Sequence, residues 1–393
     1  MGSSRRIFGR QFWLLCLSNF LFCASFQMII PELPDYLSKL GGHDYIGYII
    51  ALFTLSAGLA RPFSGKITDT LGRIPVMAFG SLVCFVIGIA YPNVHSVAGF
   101  LFLRLIHGFS TGTKPTGTAA YVADIIPAEK RGEAQGTLGI FTAIGMSIGP
   151  VLGGLLVQFM SIDVLFYVSS IFALLSILIL FNMKETLKPE SKKPFSFKLF
   201  YLKWEDIFEV KVLPAFIACF LVSFSTGVIL TLSPDQCDFL GFSNKGIFFA
   251  IFTISSLIVR LLFSKSSDIY GRIPVLMISF FVLSIAMFLC GMAQSLTVFI
   301  LSAVLFGVAW GFNTPVLTAW TIDMSMPDNR GRAISTTYIA LEFGIGFGAL
   351  VAGYFYESSL ASVFIPYLIA SFFAALAFGY LYFLNSRIPN STL

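Results

Sequence analysis

Apolar residues gather along the chain into twelve runs, at roughly 11–31, 44–64, 75–92, 96–121, 134–159, 163–183, 212–234, 243–263, 274–291, 296–320, 333–356 and 361–385. Each approaches or exceeds the ~20 residues an α-helix needs to cross the hydrocarbon core of a bilayer. The pattern predicts an all-α polytopic membrane protein with twelve transmembrane helices. Met1 to Arg10 is basic, but the apolar stretch from Gln11 to Ile30 is too long for the h-region of a signal peptide. It reads as the first span.

The polar breaks carry the orientation. Alternate loops receive Arg5, Arg6, Arg10, Lys66, Arg73, Lys130, Arg131, Lys265, Arg272, Arg330, Arg332 and Arg387, together with the segment from Lys184 to Lys211. The intervening loops receive only Lys39 and Lys245. Excess Lys and Arg marks the cytoplasmic side, so both termini are expected there, in a cytoplasmic (plasma or inner) membrane. The long connection begins rich in Lys, Pro and Ser, and carries five aromatics between Phe197 and Phe208. Its second part reads as an amphipathic helix in the headgroup layer. It divides the chain into a first six-helix half, 1–183, a linker, 184–211, and a second half, 212–393.

The halves repeat. Arg61 to Val76 returns as Arg260 to Val275, and 199 residues separate Asp69 from Asp268. The same offset joins Gly108 to Gly307, Gly112 to Gly311, Asp124 to Asp323, Arg131 to Arg330, and Gly145 and Gly149 to Gly344 and Gly348. One offset across several helices signals duplication. A membrane carrier places its substrate site at the interface of such repeats.

Composition sharpens the picture by exclusion. Hydrophobic residues are 56% and charged residues 11%, against about a quarter charged in soluble domains. Neither a polar coat nor disorder is compatible with those values. Cys16, Cys23, Cys84, Cys219 and Cys290 lie inside apolar runs and Cys237 near a loop, with neither disulfide nor zinc spacing. The net charge of +5 follows loop position and gives no reason to expect nucleic acid. There is no nucleophile–base pair, metal-ligand cluster or nucleotide loop, so an enzyme, a metal and a cofactor are not expected.

Several motifs resemble the major facilitator superfamily, and the resemblance covers the whole chain. Gly65, Asp69, Gly72 and Arg73 resemble its loop 2–3 signature, mirrored by Asp268, Gly271 and Arg272, with Thr70 and Ile74 where basic residues are common. Arg104-Leu-Ile-His107-Gly108 resembles the helix 4 signature, with His107 where Gln is common. Gly136, Gly145, Gly149, Pro150, Gly153 and Gly154 resemble the helix 5 antiporter signature in full. Pro31-Glu32-Leu33-Pro34 fits the same group. The resemblance implies a twelve-helix drug:proton antiporter working by alternating access, with helices 1, 4, 7 and 10 lining the cavity. Asn19, Phe26 and Gln27, then Phe220, Phe224 and Thr231, then Trp310, Asn313 and Trp320 are the residues it puts there.

The residues themselves suggest roles. Gly65 and Gly72 permit tight turns and close helix approach. Asp69 suits a helix N-terminus, which the resemblance supplies from helix 11. Arg73 has Asp124 as partner, and Arg272 has Asp323; these charges read as a cytoplasmic latch, or as topological markers only. Gly145, Gly149 and Gly153 share a face for close helix packing, read as the surface on which the halves rock, and Pro150 bends it. Arg104, His107, Thr111 and Lys114 form one polar stripe, which argues for an aqueous cavity; Lys114 could instead snorkel, and His107 could be a packed hydrogen bonder. Glu342 is a solitary carboxylate at membrane depth, the type of group proton coupling requires. Glu32, Asp35 and Asp235 are expected in water at outer helix ends. The expected partners are a small organic substrate, protons and lipid, with a monomer as the unit. A proton-coupled uptake symporter or facilitator, and a non-transporting receptor or scramblase, are the alternatives.

Overall fold

The computed structural model describes residues 8–127, 130–192, 207–263, 265–326 and 330–387, with Pro194, Ser196, Leu199 and Tyr201. The expected amphipathic helix of the linker lies largely outside the described residues. Helices account for the regular structure of the described residues: α1 (Arg10–Ile29), α2 (Leu33–Lys39), α3 (Ile46–Leu71), α4 (Arg73–Ala90), α5 (Val97–His107), α6 (Phe109–Ile125), α7 (Arg131–Phe159), α8 (Ile162–Phe181), α9 (Leu213–Phe239), α10 (Ile247–Phe263), α11 (Ser266–Ile269), α12 (Arg272–Gly291), α13 (Leu296–Met324), α14 (Arg330–Phe355) and α15 (Phe364–Arg387). Among the described residues, ten helical stretches are long and apolar enough to cross a membrane. The eighth predicted run is the shorter α10.

The fourth run departs from a single helix. It divides at Gly108 into α5 and α6, although Gly108 keeps a right-handed helical backbone. The Gly108 N–H still reaches the Arg104 carbonyl at 3.3 Å, so the ladder weakens without reversing. Pro115, inside α6, then lacks the N–H that would bind the preceding turn.

The duplication is built into the packing. In the first repeat α1 packs on α7 and α8, and α4 on α6 and α8. In the second, α9 packs on α14 and α15, and α12 on α13 and α15. Equivalent glycines make equivalent approaches. A Cβ on Gly112 would meet Ala57 and Ala60, and one on Gly311 would meet Ser256 and Val259, partners that are themselves 199 residues apart. Ser96 and Ser295, related by the same offset, accept the N–H groups that open α5 and α13.

The chain forms two compact units. One comprises Met1–Leu33 with Leu55–Lys203, the other Pro34–Thr54 with Trp204–Leu393. Residues 34–54, grouped with the first half by sequence, thus pack within the second unit. Small residues make this possible: a Cβ on Gly353 would strike the Gly47 backbone, and one on Gly47 would lie 2.6 Å from the Ala349 carbonyl oxygen. Large apolar side chains elsewhere face outward, Phe159 at 77% and Phe181 at 76% exposure, as helices whose outer solvent is lipid require.

Candidate functional site

In the first unit a polar site is set between hydrophobic clusters of the helix bundle. Lys114 on α6 is fully buried. Its ammonium does not snorkel to an interface; it donates to Ser18 Oγ at 3.0 Å, Ser81 Oγ at 2.9 Å, Ser176 Oγ at 2.5 Å and the Ser18 carbonyl at 3.2 Å. The Phe22 ring lies 4.7 Å from Nζ, within cation–π range. Gly80 lets α4 approach here, since a Cβ would meet Lys114 Cβ at 2.8 Å. Sequence reasoning singled out the lysine but none of the three serines, which arrive from α1, α4 and α8.

Arg104 and His107 on α5 are also buried. Arg104 Nη1 donates to Tyr91 Oη at 3.4 Å, and His107 Nδ1 lies 3.1 Å from the same oxygen. His107 Nε2 is 3.4 Å from Cys84 Sγ, and Tyr91 stacks on Phe166 at 4.9 Å. The polar stripe is therefore packed in protein. Asn19 donates to Thr142 Oγ1 at 2.6 Å, while the buried Gln27 Oε1 has no hydrogen-bond partner among the described residues.

The second unit holds a small, partly open cavity. Its walls come from α9, α13 and α14, and include Trp310, Asn313, Thr318, Thr337 and Tyr338. No charged side chain is part of that lining. Trp310 stacks on Phe306, and Asn313 Oδ1 accepts from Ser279. Glu342 is buried on α14, directly after the lining residue Leu341. Phe220 and Phe224, expected to face a cavity, stack on Phe347 and Phe373 instead, and Thr231 bonds its own helix at Gly227 O. Trp320 is buried.

The charged loop motif is assembled twice. Arg73 Nε donates to Asp124 at 2.9 Å and Nη1 pairs with Asp69 at 3.2 Å, leaving the Asp69 side chain 73% exposed. Gly72 takes φ +125°, open to glycine alone, whereas Gly65 has nothing within 4 Å of a built Cβ, so no close approach requires it. Sequence reasoning missed Glu185. Its carboxylate accepts the N–H groups of Arg73 at 3.1 Å and Ile74 at 3.0 Å, capping the positive end of α4. The available signal was a helix start after an obligate glycine, without a capping side chain of its own. In the second copy Arg272 pairs with Asp323 at 2.9 Å and with Asp268. Glu209, also missed, accepts from Arg332 Nη2 at 2.6 Å. That hydrogen bond holds the Glu209 carboxyl below the usual carboxylate range, against the opposing effect of burial.

Known proteins agree with this architecture. The family described as the Major Facilitator Superfamily matches residues 15–244 and 238–393. The chain belongs to that superfamily. It is 29% identical over 361 residues to the multi-drug resistance efflux pump PmrA of Streptococcus pneumoniae, covering 86% of this chain and 88% of that one. It is 27% identical over 385 residues to multidrug resistance protein 2 of Bacillus subtilis, covering 94% of each. The crystal structure of the human organic anion transporter MFSD10 (TETRAN) shares the fold, with a TM-score of 0.72, 22% identity, and coverage of 95% of this chain and 99% of that one.

The superfamily's helix 5 signature falls on α7, and its glycine face meets α1. A Cβ on Gly145 would lie 2.6 Å from the Phe20 carbonyl oxygen, one on Gly149 2.8 Å from that of Ala24, and one on Gly153 would strike Met28. The expectation of a rocking surface between halves is thus corrected: this face is occupied inside the first unit, where glycine lets two helix backbones touch. Gly154 and Pro150 are buried with it, while Gly136 has open space around it.

Two of the outer carboxylates, Glu32 and Asp235, are less exposed than expected, whereas the Asp35 side chain stays about half exposed. Glu32 is buried. Asp235 Oδ2 accepts from Tyr356 Oη at 2.6 Å. Lys245 sits against Asp35 at 2.5 Å, Asp238 at 2.9 Å and Asp235 at 4.0 Å. Burial opposes its charge, but the Asp35 and Asp238 carboxylates outweigh it and hold Lys245 above the usual lysine range.

Proposed function

We propose that this chain is a secondary transporter that exports small organic compounds by alternating access, coupled to inward proton flow. The observation that carries the reading is the cavity of the second unit. Trp310 and Tyr338 offer aromatic faces, Asn313 and the threonines offer hydrogen bonds, and no fixed charge demands one particular ion. Such walls suit amphipathic aromatic molecules, because orientation comes from a few polar groups and affinity from apolar contact. The relative named as a multi-drug resistance efflux pump supports the direction of flux, and the one named as a multidrug resistance protein is consistent with it. In this reading Glu342, Arg104, His107 and Lys114 are the candidates for proton coupling, and Asn19, Gln27, Glu32 and Asp235 are secondary polar positions. The transporter acts as a monomer in the cytoplasmic membrane with both termini inside, its repeats divided near the 184–211 linker.

The charged loop copies act as the cytoplasmic latch. Asp69→Asn leaves Arg73 held by Asp124 but removes the exposed carboxylate that is open to a partner; slower turnover with normal membrane insertion is expected, and unchanged turnover would argue against the latch.

Everted membrane vesicles energised with a proton gradient test the whole reading. Ethidium, rhodamine and norfloxacin are the probes, and a pH dye reports proton release. Probe-triggered release, lost in Glu342→Gln, is expected. Release that survives Glu342→Gln moves the proton to another group. No disturbance of the gradient by any probe, with folded protein present, directs attention to uptake.

A further inference from the structure

The first unit carries a cation whose surroundings do not resemble an ion pair. Lys114 is fully buried, and among the described residues its Nζ meets three serine hydroxyls, one backbone carbonyl and an aromatic face. The titratable groups on the elements packed around it are Arg10 and the Cys16 and Cys23 thiols on α1, Cys84 on α4, Arg104 and His107 on α5, Tyr121 on α6 and the outward-facing Tyr167 on α8. Arg73 stands at the start of α4. Carboxylates on these helices stand at their ends only, Asp124 on α6 and Asp163 on α8. From Lys114 to Asp124 is about 15 Å of helix at ~1.5 Å per residue. A permanent ammonium in such a place is expensive; Arg104 on the adjoining helix supplies a second buried positive group rather than relief.

The serines can serve either protonation state. A hydroxyl is at once donor and acceptor. Facing an ammonium, Ser176 donates to the Ser18 carbonyl at 2.9 Å, Ser18 to the Ser176 carbonyl at 3.1 Å and Ser81 to the Met77 carbonyl at 3.3 Å, so each oxygen is free to accept from Nζ. Facing a neutral amine, Ser176 need only turn its hydroxyl proton toward the nitrogen lone pair.

We propose that the Lys114 amine is a proton-binding site of the transport cycle, walled by Ser18, Ser81 and Ser176. The proposal rests on the proton-coupled reading above. In the release step one Nζ–H bond breaks, its electron pair stays on nitrogen, the proton passes to water, and Ser176 donates a hydrogen bond to that pair. Uptake reverses the step. The net charge of the cage changes by one, and with it the hydrogen bonds joining α1, α4, α6 and α8.

The test uses the purified full chain in proteoliposomes with ethidium as probe. Wild type, Lys114→Arg and Lys114→Met are compared for accumulation driven by a proton gradient and for gradient-free exchange. Arginine stays protonated in proteins and methionine carries no proton, so both variants should lose driven accumulation while retaining part of their exchange. Driven accumulation by Lys114→Arg at the wild-type level overturns the proposal, because a fixed cation then suffices. Wild type that exchanges ethidium but never responds to the gradient defeats the proton-coupled reading itself, and this proposal with it. If the variants aggregate, 15N-lysine NMR of wild type decides. A caged Nζ resonance that moves between the ammonium and amine positions across the working pH range supports the site, and one fixed at the ammonium position throughout overturns it.

Discussion

The two repeats share a backbone plan and differ in what they bury. At the offset of 199 residues, Lys114 corresponds to Asn313, His107 to Phe306 and Arg104 to Ala303. The cage serines Ser81 and Ser176 correspond to Phe280 and Ala375, while on α1 and α9 the residues in equivalent contacts, Ala24 against Gly149 and Phe224 against Gly348, lie 200 residues apart and pair Ser18 with Ala218. At these positions the first repeat buries ionisable groups held by hydroxyls, and the second places apolar side chains around a neutral amide. The glycine contacts that bring helices together are kept in both. Duplication preserved the packing code and let the chemistry diverge: the first unit buries Lys114, Arg104 and His107, and the second buries Glu342 beside a cavity whose lining is uncharged.

Exchanging chemistry between the repeats breaks this comparison most severely. Asn313→Lys places an ammonium where, among the described residues, Ser279 is the hydrogen-bond partner of Asn313, and an uncompensated buried charge costs about 3–5 kcal/mol. Thermal unfolding followed by size-exclusion fluorescence should show a large loss, unlike the wild-type Lys114 site. Gly72→Ala is expected to cost more than Gly271→Ala. Both glycines have positive φ, where a side chain is strained by about 1–3 kcal/mol. Only at Gly72 would the new Cβ also lie 2.5 Å from Glu185 Oε2 and displace the cap of α4. Equal losses would remove Glu185 from the account. Ser176→Ala deletes one of the four acceptors of Lys114 and leaves three for its three N–H bonds, so the loss is that of one hydrogen bond to a charged group, about 1.5–3 kcal/mol; the same measurement applies.

The smallest effect concerns the second repeat's tie to the linker. Glu209 has its carboxyl depressed by the Arg332 hydrogen bond. Its contribution is complete above the unfolded carboxylate range, near ~4.3, and disappears as pH falls through the folded value. Acid lability of the wild type should therefore be reduced in Glu209→Gln, with a lower starting stability at neutral pH. Identical pH profiles would show that the pair contributes nothing.

Helix number and duplication were legible in sequence because both are one-dimensional signals, run length and a fixed offset. Arg73 with Asp124, and Arg272 with Asp323, were also accessible, since the repeat presents the same charges twice. Lys114 stood out as a charge inside an apolar run, but its partners did not: a serine in a transmembrane helix is unremarkable until four helices bring three of them to one nitrogen. Glu185 was hidden among the basic residues of the linker. The glycine face of α7 was visible as a stripe, yet a stripe does not name the helix it meets, and α1 was the answer. Residues 34–54 joined the second unit through Gly47, Gly353 and the Asp35–Lys245 pair, contacts between positions hundreds of residues apart.

The sealed position of Lys114 also gives it a use as a reporter. Amine-reactive reagents modify accessible lysines within the folded chain, and this one has no exposed surface. An acyl group found on Lys114 would therefore record a moment when α1, α4, α6 and α8 had parted. Mass spectrometry after timed labelling could then clock how often the first bundle opens, during transport or at rest.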